Sequence, residues 1–138
     1  MRLLRCKAAV AACVAVSVAA GWSVVARAQD HGFPFGSEMT LDAGPIRGSK
    51  RIPVMEIDDN GAVQLDLYCK RAQGQFSVAN DTVIFIAGIV DDGSCPADRA
   101  QADDTVLAAL QSATNWRRNG DFVSFVGPRT LRFRLNTN

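Results

Sequence analysis

The sequence is poor in the residues that usually perform catalysis and bind metals. Its 138 residues include one histidine, His31, and four cysteines. A histidine general base or a catalytic triad would have to use His31, which lies in a stretch of glycine and proline without periodicity. Cys69 and Cys95 are 26 positions apart, which is not a spacing of zinc ligands. We therefore predict no catalytic residues, no metal and no cofactor, and we expect a protein that is not an enzyme.

An excess of basic charge is also missing from the part of the chain that follows residue 28. Residues 29–138 contain 11 basic and 14 acidic side chains, a net charge near −3. This balance gives no electrostatic reason to bind nucleic acid or an anionic membrane. Repeats of fixed period are absent, and the length fits one domain.

The first 28 residues have the pattern of a secretory signal peptide. Three basic residues precede an apolar run over residues 8–25, namely Arg2, Arg5 and Lys7. Ala26-Arg27-Ala28 follows the run as a small-x-small cleavage site. We therefore predict cleavage between Ala28 and Gln29, which leaves an exported protein without a membrane span.

Two alternatives to a cleaved signal peptide remain open. The apolar run is 18 residues long, which is just enough for an uncleaved membrane anchor, although its alanines and valines are only mildly apolar. Residues 10–13, Val-Ala-Ala-Cys, resemble a lipoprotein signal in which Cys13 is lipidated. The apolar stretch before Cys13 is short and continues beyond it, which favours the cleaved signal peptide over lipidation.

The segment 67–95 organises the rest of the chain. It contains the two cysteines that remain after cleavage, and between them two strand-like runs meet at Asn80-Asp81. Because disulfides persist in exported proteins, we predict a bond between Cys69 and Cys95 that clamps a β-hairpin. Closing a loop of this length stabilises a fold by about 3.5 kcal/mol in the chain-entropy model. Two buried free thiols are the alternative.

Short alternating runs predict several strands and one helix after a flexible lead-in over residues 29–36. The expected strands cover residues 37–42, 52–57, 62–68, 75–78, 82–90, 115–118, 121–126 and 130–135, and the expected helix covers 100–113. The run Val-Ile-Phe-Ile-Ala-Gly-Ile-Val in 83–90 is so apolar that we expect this strand to be covered on both faces. The prediction is a mainly β fold with one helix (α+β), a small antiparallel β-barrel or strongly curled sheet whose edge or end the helix covers.

The order of these elements resembles a known family. The first matching pieces are an Asn-Gly turn at Asn60-Gly61, a strand that ends at Cys69, and a Gly-x-Phe strand with Gly74 and Phe76. The next are a strongly apolar strand at 84–89, a second cysteine at Cys95 and a short helix at 106–110. The last is a closing hairpin with Asn119-Gly120-Asp121 and residues 131–133. This pattern resembles the META domain family, which includes the HslJ-like proteins, over residues 37–136. The resemblance implies a small β-barrel-like domain of the bacterial envelope, periplasmic or secreted, that is associated with stress tolerance.

Two groups of charged residues are candidates for binding. Five arginines in the last quarter form a possible interaction patch for an acidic protein or a glycan: Arg117, Arg118, Arg129, Arg132 and Arg134. A guarded sheet edge or ion pairs with the acidic helix would explain the same residues. Acidic residues around 91–104 and the turn at Asp58-Asp59 are weak calcium candidates, because the alternating ligands of a calcium loop are absent. Trp116 is expected in the core.

Two functions therefore remain after enzymes are set aside. The first is an exported envelope accessory or interaction domain, a monomer that binds another protein or a glycan and supports the envelope under stress. The second is a small-ligand carrier or a binding protein similar to lysozyme inhibitors. A cavity inside the barrel would favour the carrier, whereas a filled interior with a protruding loop at 44–51 or 91–97 would favour a protein binder or inhibitor.

Overall fold

The computed structural model describes residues 32–137. The signal peptide, its cleavage between Ala28 and Gln29, the lipidation of Cys13 and the role of His31 all lie outside these residues. Their predictions therefore stay predictions.

Eight antiparallel strands follow one another around a closed barrel, with a single α-helix between the fifth and sixth. The strands are β1 (Ser37–Leu41), β2 (Val54–Ile57), β3 (Ala62–Asp66), β4 (Arg71–Ala79), β5 (Thr82–Asp91), β6 (Asn115–Asn119), β7 (Phe122–Val126) and β8 (Leu131–Leu135), and the helix is α1 (Ala97–Gln111). Pairing of β1 with β8 closes the barrel. The predicted mainly β fold with one helix is confirmed.

The hairpin turns lie where the sequence places residues that tolerate a positive φ. Asn80 adopts φ 55° between β4 and β5, and Gly61 adopts φ 85° before β3. Gly120 adopts φ 59° between β6 and β7. Asparagine and glycine lose little energy in this conformation, so these turns fix the strand register at low cost.

The barrel interior is filled by aromatic and aliphatic side chains. Phe76 and Phe125 stack with ring centroids 5.0 Å apart, and the ring centroid of Phe85 also lies 5.0 Å from that of Phe76. Phe125 also meets Phe133 edge-on at 5.8 Å. Met39 and other core residues are fully buried around these rings. Burial of this apolar surface is the main driving force that holds the strands together.

The described part of segment 29–36, which was predicted as a flexible lead-in, contacts the barrel through an aromatic residue. Phe33 packs against the aromatic core, with ring centroids 5.4 Å from Phe76 and 5.2 Å from Trp116. Phe35 lies 4.8 Å from Phe33 and is partly exposed. The sequence did not indicate this contact, because Phe33 stands among glycine and proline, where no period marks it as a core residue.

Trp116 is a core residue, as expected, and it also holds the β4–β5 turn. Its indole Nε1 donates a hydrogen bond to the carbonyl of Asn80 at 2.7 Å. Its backbone N–H donates to the carbonyl of Asp81 at 2.9 Å. Residue pairing between β5 and β6 is limited to Thr82 and Asn115, so Trp116 contributes much of the connection between the two strands.

The helix begins three residues earlier than predicted and packs against β5 and β8. Its buried residues recur at helical spacing and include Asp103, Val106, Leu107 and Leu110. Pro96 stands at the N-cap position without a side-chain cap. Among the residues described, no helix combines the length and apolar character needed to cross a membrane.

Candidate interaction surface

Three isoleucines on the outer side of β5 are exposed to solvent. Ile84, Ile86 and Ile89 have exposed fractions of 57%, 61% and 74%. Ile84 and Ile86 alternate with the buried Val83 and Phe85, and a register irregularity then turns Ile89 to the same outer surface. We call these three residues the isoleucine row. Apolar side chains that lie next to one another on a surface commonly mark an interaction site.

The prediction that this strand is covered on both faces is wrong. The neighbouring strand β4 directs polar side chains to the same surface, and Ser77 and Gln75 stand directly opposite Ile84 and Ile86. The described part of the chain therefore leaves the outer side of β5 open. A continuous apolar run carries no period, and for this reason it could not distinguish a doubly buried strand from one with an exposed apolar face.

A groove of about 330 Å³ adjoins the isoleucine row at Ile89. Four carboxylates line it, and we call them together the acidic groove: Glu38, Glu56, Asp66 and Asp91. Arg71 is the one basic residue in the lining, and its Nε lies 3.0 Å from Asp66 Oδ1. The lining therefore keeps a net negative charge. Sequence analysis missed this groove because its acids come from β1, β2, β3 and β5, which only the barrel brings together.

Two of the groove acids face each other, and neither forms a salt bridge with a residue in the range 32–137. Glu38 on β1 and Glu56 on β2 are direct cross-strand partners. Glu38 accepts a hydrogen bond from the amide of Asn136. Glu56 forms no salt bridge with any residue in the range 32–137. Like charges directly opposite on a sheet destabilise it, so this pair favours the approach of a positive group from outside.

The open end of the β4–β5 hairpin is fastened by the disulfide. Cys69 precedes β4 and Cys95 follows β5, and the structure bonds their sulfur atoms with Cα atoms 5.8 Å apart. This separation is within the usual range for a disulfide. The geometry supports the pairing predicted from the sequence, and the bond fixes the end of β5 that carries Ile89.

Asp103 of α1 binds the backbone of the loop between β3 and β4, which contains Cys69. Its carboxylate is fully buried and accepts backbone hydrogen bonds from Tyr68 at 2.7 Å, Cys69 at 3.0 Å and Lys70 at 2.7 Å. Successive backbone N–H groups of this kind form a concave site for an anion. Asp103 precedes the buried Val106 and Leu107 by three and four residues, so the helical spacing places it on the buried side of α1.

Lys70 links the loop to two further acids. Its Nζ lies 2.7 Å from Asp104 Oδ1 and 3.0 Å from Asp92 Oδ1. The hydrogen bonds with Asp104 and then Asp92 raise the pKa of Lys70 above its ordinary value. The pKa of Tyr68 is also raised, first by burial and then by the charge of Asp103. These contacts make the region structural, and they occupy three of the acids that were considered for calcium.

Two of the remaining calcium candidates, Asp58 and Asp98, accept hydrogen bonds from nearby backbone N–H groups. Asp58 Oδ1 accepts hydrogen bonds from the backbone N–H groups of Asn60 and Ala62, both at 2.8 Å, as in an ordinary turn. Asp98 Oδ1 accepts one from the N–H of Arg99 at 2.9 Å. In the range 32–137, no group of three or more metal-ligating side chains is close enough to hold an ion.

The loop over residues 44–51 is held against the barrel. The Ser49 hydroxyl donates to the carbonyl of Tyr68 at 3.0 Å, and the Arg51 guanidinium donates to the carbonyl of Cys69 at 2.9 Å. The loop over residues 92–96 is anchored by Cys95 and by Asp92. Both loops therefore lack the free protrusion that an inhibitor-like binding mode would use.

The structure brings together three of the five arginines in the predicted patch. Arg117, Arg132 and Arg134 lie on the outer surface of β6 and β8, and Arg117 and Arg132 both stand opposite Ser124. Arg132 is already engaged, because it pairs with Asp42 and lies 4.9 Å from the centre of the Phe122 ring.

The other two arginines lie apart from this surface. Arg118 donates to the carbonyl of Gly120 at 3.1 Å and lines a second pocket near the start of β1, whose lining also includes Glu38 and Glu56 of the acidic groove. Arg129 stands in the turn between β7 and β8. The role of all five arginines as an interaction patch stays a prediction.

Comparisons with known proteins agree with this architecture. A search of curated proteins found no match. A solved structure, described as an NMR structure of a protein, superposes with a TM-score of 0.55 at 13% sequence identity, over 72% of this chain and 88% of the other. At this identity the likeness concerns the fold alone. The family model of the META domain matches residues 37–134, which cover the whole barrel from β1 almost to the end of β8. The chain therefore belongs to the META domain family.

Proposed function

We propose that this protein is a non-enzymatic interaction domain, exported to the bacterial envelope, that binds a protein partner through the isoleucine row. The observation that carries the proposal is the exposure of Ile84, Ile86 and Ile89 on one strand surface, at 57%, 61% and 74%. Exposed isoleucine also favours strand formation by itself, but three in one row form a patch of the kind that proteins use for association.

Export is supported by the N-terminal pattern and by the disulfide. Basic residues, an apolar run and a small-x-small site precede residue 29, as in a cleaved signal peptide. A bond between Cys69 and Cys95 is compatible with an oxidising compartment such as the periplasm. A role in tolerance of envelope stress is part of the proposal, because the resemblance to HslJ-like proteins implies it.

The filled interior supports protein binding over the carriage of a small ligand. A carrier needs an apolar cavity, and the aromatic rings of Phe76, Phe125 and Phe133 occupy the centre of this barrel. The groove beside Ile89 and the pocket at Arg118 open at the surface and are lined mainly by charged and polar residues. An inhibitor-like mode loses support because the loops at 44–51 and 92–96 are tied to the barrel.

Site-specific photocrosslinking in living bacteria tests this proposal. A photoreactive amino acid replaces Ile86 in the full chain, and cells are irradiated before the envelope fraction is analysed by mass spectrometry. We expect a discrete crosslinked protein. We also expect the crosslink to disappear when Ile84 and Ile89 are changed to threonine, which keeps the β-branched shape and removes apolar surface.

The matched control carries the same photoreactive group at Ser124 on β7, two strands from β5 around the barrel and between two of the arginines. The proposed function is wrong if Ile86 yields no crosslink that the threonine variants abolish. Crosslinks from Ser124 alone would assign binding to the arginine surface instead. Co-purified lipid or another small molecule without a protein crosslink would favour the carrier.

A further inference from the structure

We infer that the partner presents a basic and apolar segment, whose apolar side chains cover the isoleucine row and whose lysine or arginine enters the acidic groove. This inference rests on the proposed function and specifies the chemistry of the partner. It follows from the position of the two features, which share Ile89.

The charge of the acidic groove determines the charge that the partner segment should carry. The groove brings Glu38, Glu56, Asp66 and Asp91 together, and Arg71 offsets only one of these charges through its contact with Asp66. Arg118 lines the adjoining pocket with Glu38 and Glu56 but forms no salt bridge with either, so the groove keeps an excess of negative charge. An acidic segment would add repulsion here, whereas a lysine or arginine would neutralise the opposed pair Glu38 and Glu56. The isoleucines supply the apolar contact that charges alone lack.

The strand register gives the path of the segment. Glu56 stands opposite Gln64, and Gln64 stands opposite Gln73. Gln73 lies at the register irregularity, where it faces Gly88 and Ile89 of β5. A polar row thus runs along the groove from Glu56 to Ile89, where the isoleucine row begins. With strands about 4.8 Å apart, the distance from Glu56 to Ile89 is about 14 Å.

The length of the segment follows from these dimensions. The five-residue step from Ile84 to Ile89 adds about 17 Å at the usual rise of a strand. A partner segment of about nine or ten extended residues therefore reaches from Ile84 over Ile89 into the groove.

Titration with designed peptides tests the inference on the purified protein. The main probe is a twelve-residue peptide that alternates valine and lysine, and NMR follows the amide signals of the isotope-labelled protein. We expect signals of Ile84, Ile86, Ile89 and Glu56 to shift together, with binding that weakens as salt is raised. A peptide with glutamate in place of lysine should not bind, and one with serine in place of valine should bind more weakly.

Variants distinguish binding in the acidic groove from a general attraction of the basic peptide to the negatively charged protein. Glu56→Gln should weaken binding of the valine–lysine peptide about fivefold, the loss expected for one surface charge partner. Asp121→Asn, in the β6–β7 turn outside the groove, is the matched control and should leave the affinity unchanged. Ile86→Thr should weaken binding while the fold, checked by the dispersion of its NMR spectrum, is retained.

Four results would overturn the inference. One is equal binding of the lysine and glutamate peptides. Another is a set of shifted signals at Arg117, Arg132 and Arg134 instead of the isoleucine row, and a third is no binding by any peptide. If the protein sedimented with lipid vesicles and Ile86→Thr abolished this, the isoleucine row would be a membrane-binding surface, and the inference would also be overturned. A crosslinked partner at Ile86 without binding of basic peptides would leave the proposed function standing and refute only the basic and apolar character of the partner segment.

Discussion

The two faces of β5 have nearly the same composition and opposite environments. On the inner face, Val83 and Phe85 are 1% and 4% exposed, whereas Ile84 and Ile86 on the outer face are 57% and 61% exposed. Inner residues pack into the aromatic core and stabilise the barrel. The outer residues contribute little to that core and leave apolar surface in solvent. The difference shows that hydrophobicity alone does not identify the core, because one strand can serve stability on one side and binding on the other.

The largest effect should come from removing an inner residue. Phe85→Ala should lower the free energy of unfolding by about 3–5 kcal/mol, because it opens a cavity beside Phe76. Ile86→Thr, its outer neighbour, should change it by no more than about 0.5 kcal/mol. Urea unfolding followed by circular dichroism measures both. Equal losses for the two variants would remove the distinction between the faces.

A second test concerns the hydrogen bonds between Asp103 and the loop before β4, which lie near the disulfide end of β5. Asp103→Ala leaves three backbone N–H groups buried without an acceptor and should cost about 3 kcal/mol. Asp104→Asn is the matched control on the same helix, and it removes only a contact between Lys70 and a carboxylate that is half-exposed. Its cost should stay below about 1 kcal/mol. If the two variants unfolded at the same urea concentration, the buried carboxylate would have no special role.

Gly74 allows the inner face of β5 to pack closely. A Cβ at this position would lie 2.4 Å from the Phe85 ring and 2.8 Å from the carbonyl oxygen of Ile86. Gly74→Ala should therefore cost about 1–3 kcal/mol through overpacking. The control is Gly44→Ala, since a Cβ there meets nothing within 4 Å. Thermal unfolding of the two variants would show whether the close approach matters.

Alkaline pH should weaken the loop that joins β3 to β4. The pKa of Tyr68 is raised by burial and by Asp103, and the pKa of Lys70 is raised by Asp104 and Asp92. Both groups therefore bind their protons more tightly when folded, so their contribution is complete below pH of about 10 and is lost as the pH rises through the folded pKa values.

Tyr68 is the single tyrosine of the chain, so absorbance of the tyrosinate near 295 nm reports this residue alone. We expect a midpoint above about 10 in the folded protein and near about 10 in urea. The free energy of unfolding should fall over the same range. A folded midpoint at or below the unfolded one would contradict the assigned environment.

The smallest expected effect is a gain in the free energy of unfolding, whereas the variants above lower it. Glu56→Gln removes one of two like charges that face each other on β1 and β2, and it should raise the free energy of unfolding by a few tenths of a kcal/mol. Glu38→Gln should do the same to a smaller extent, because Glu38 also accepts a hydrogen bond from Asn136. A stability gain together with weaker peptide binding would show that the acidic groove is kept for binding.

The sequence was sufficient for most of the fold, because local signals were strong. The turns at Asn60-Gly61 and Asn119-Gly120 lie where they were predicted. The strands predicted at 62–68 and 130–135 are present as β3, which already ends at Asp66, and β8, which begins at Leu131. Residues 52–57 were also predicted as a strand, although β2 begins only at Val54. Such elements follow from short-range chemistry.

The candidate surface could not be predicted in the same way. The isoleucine row lies in a run that is apolar on both faces, and its exposure depends on the absence of a covering element in the residues described. The acidic groove depends on the register of β1 to β5, which places Glu56 beside Glu38 and Gln64. Phe33 was missed because no period surrounds it. Each of these features is a property of tertiary contacts, which local patterns do not encode.

The β4–β5 hairpin is secured at both of its ends. Trp116 holds the turn at Asn80 and Asp81, and the Cys69–Cys95 bond with Asp103 holds the opposite end. The strand that presents the isoleucines is therefore preorganised, and little conformational entropy remains to be lost on this side when a complex forms. An entropic penalty on association would then come mainly from the partner, and a partner with its segment already extended would bind more tightly than a flexible one of the same sequence.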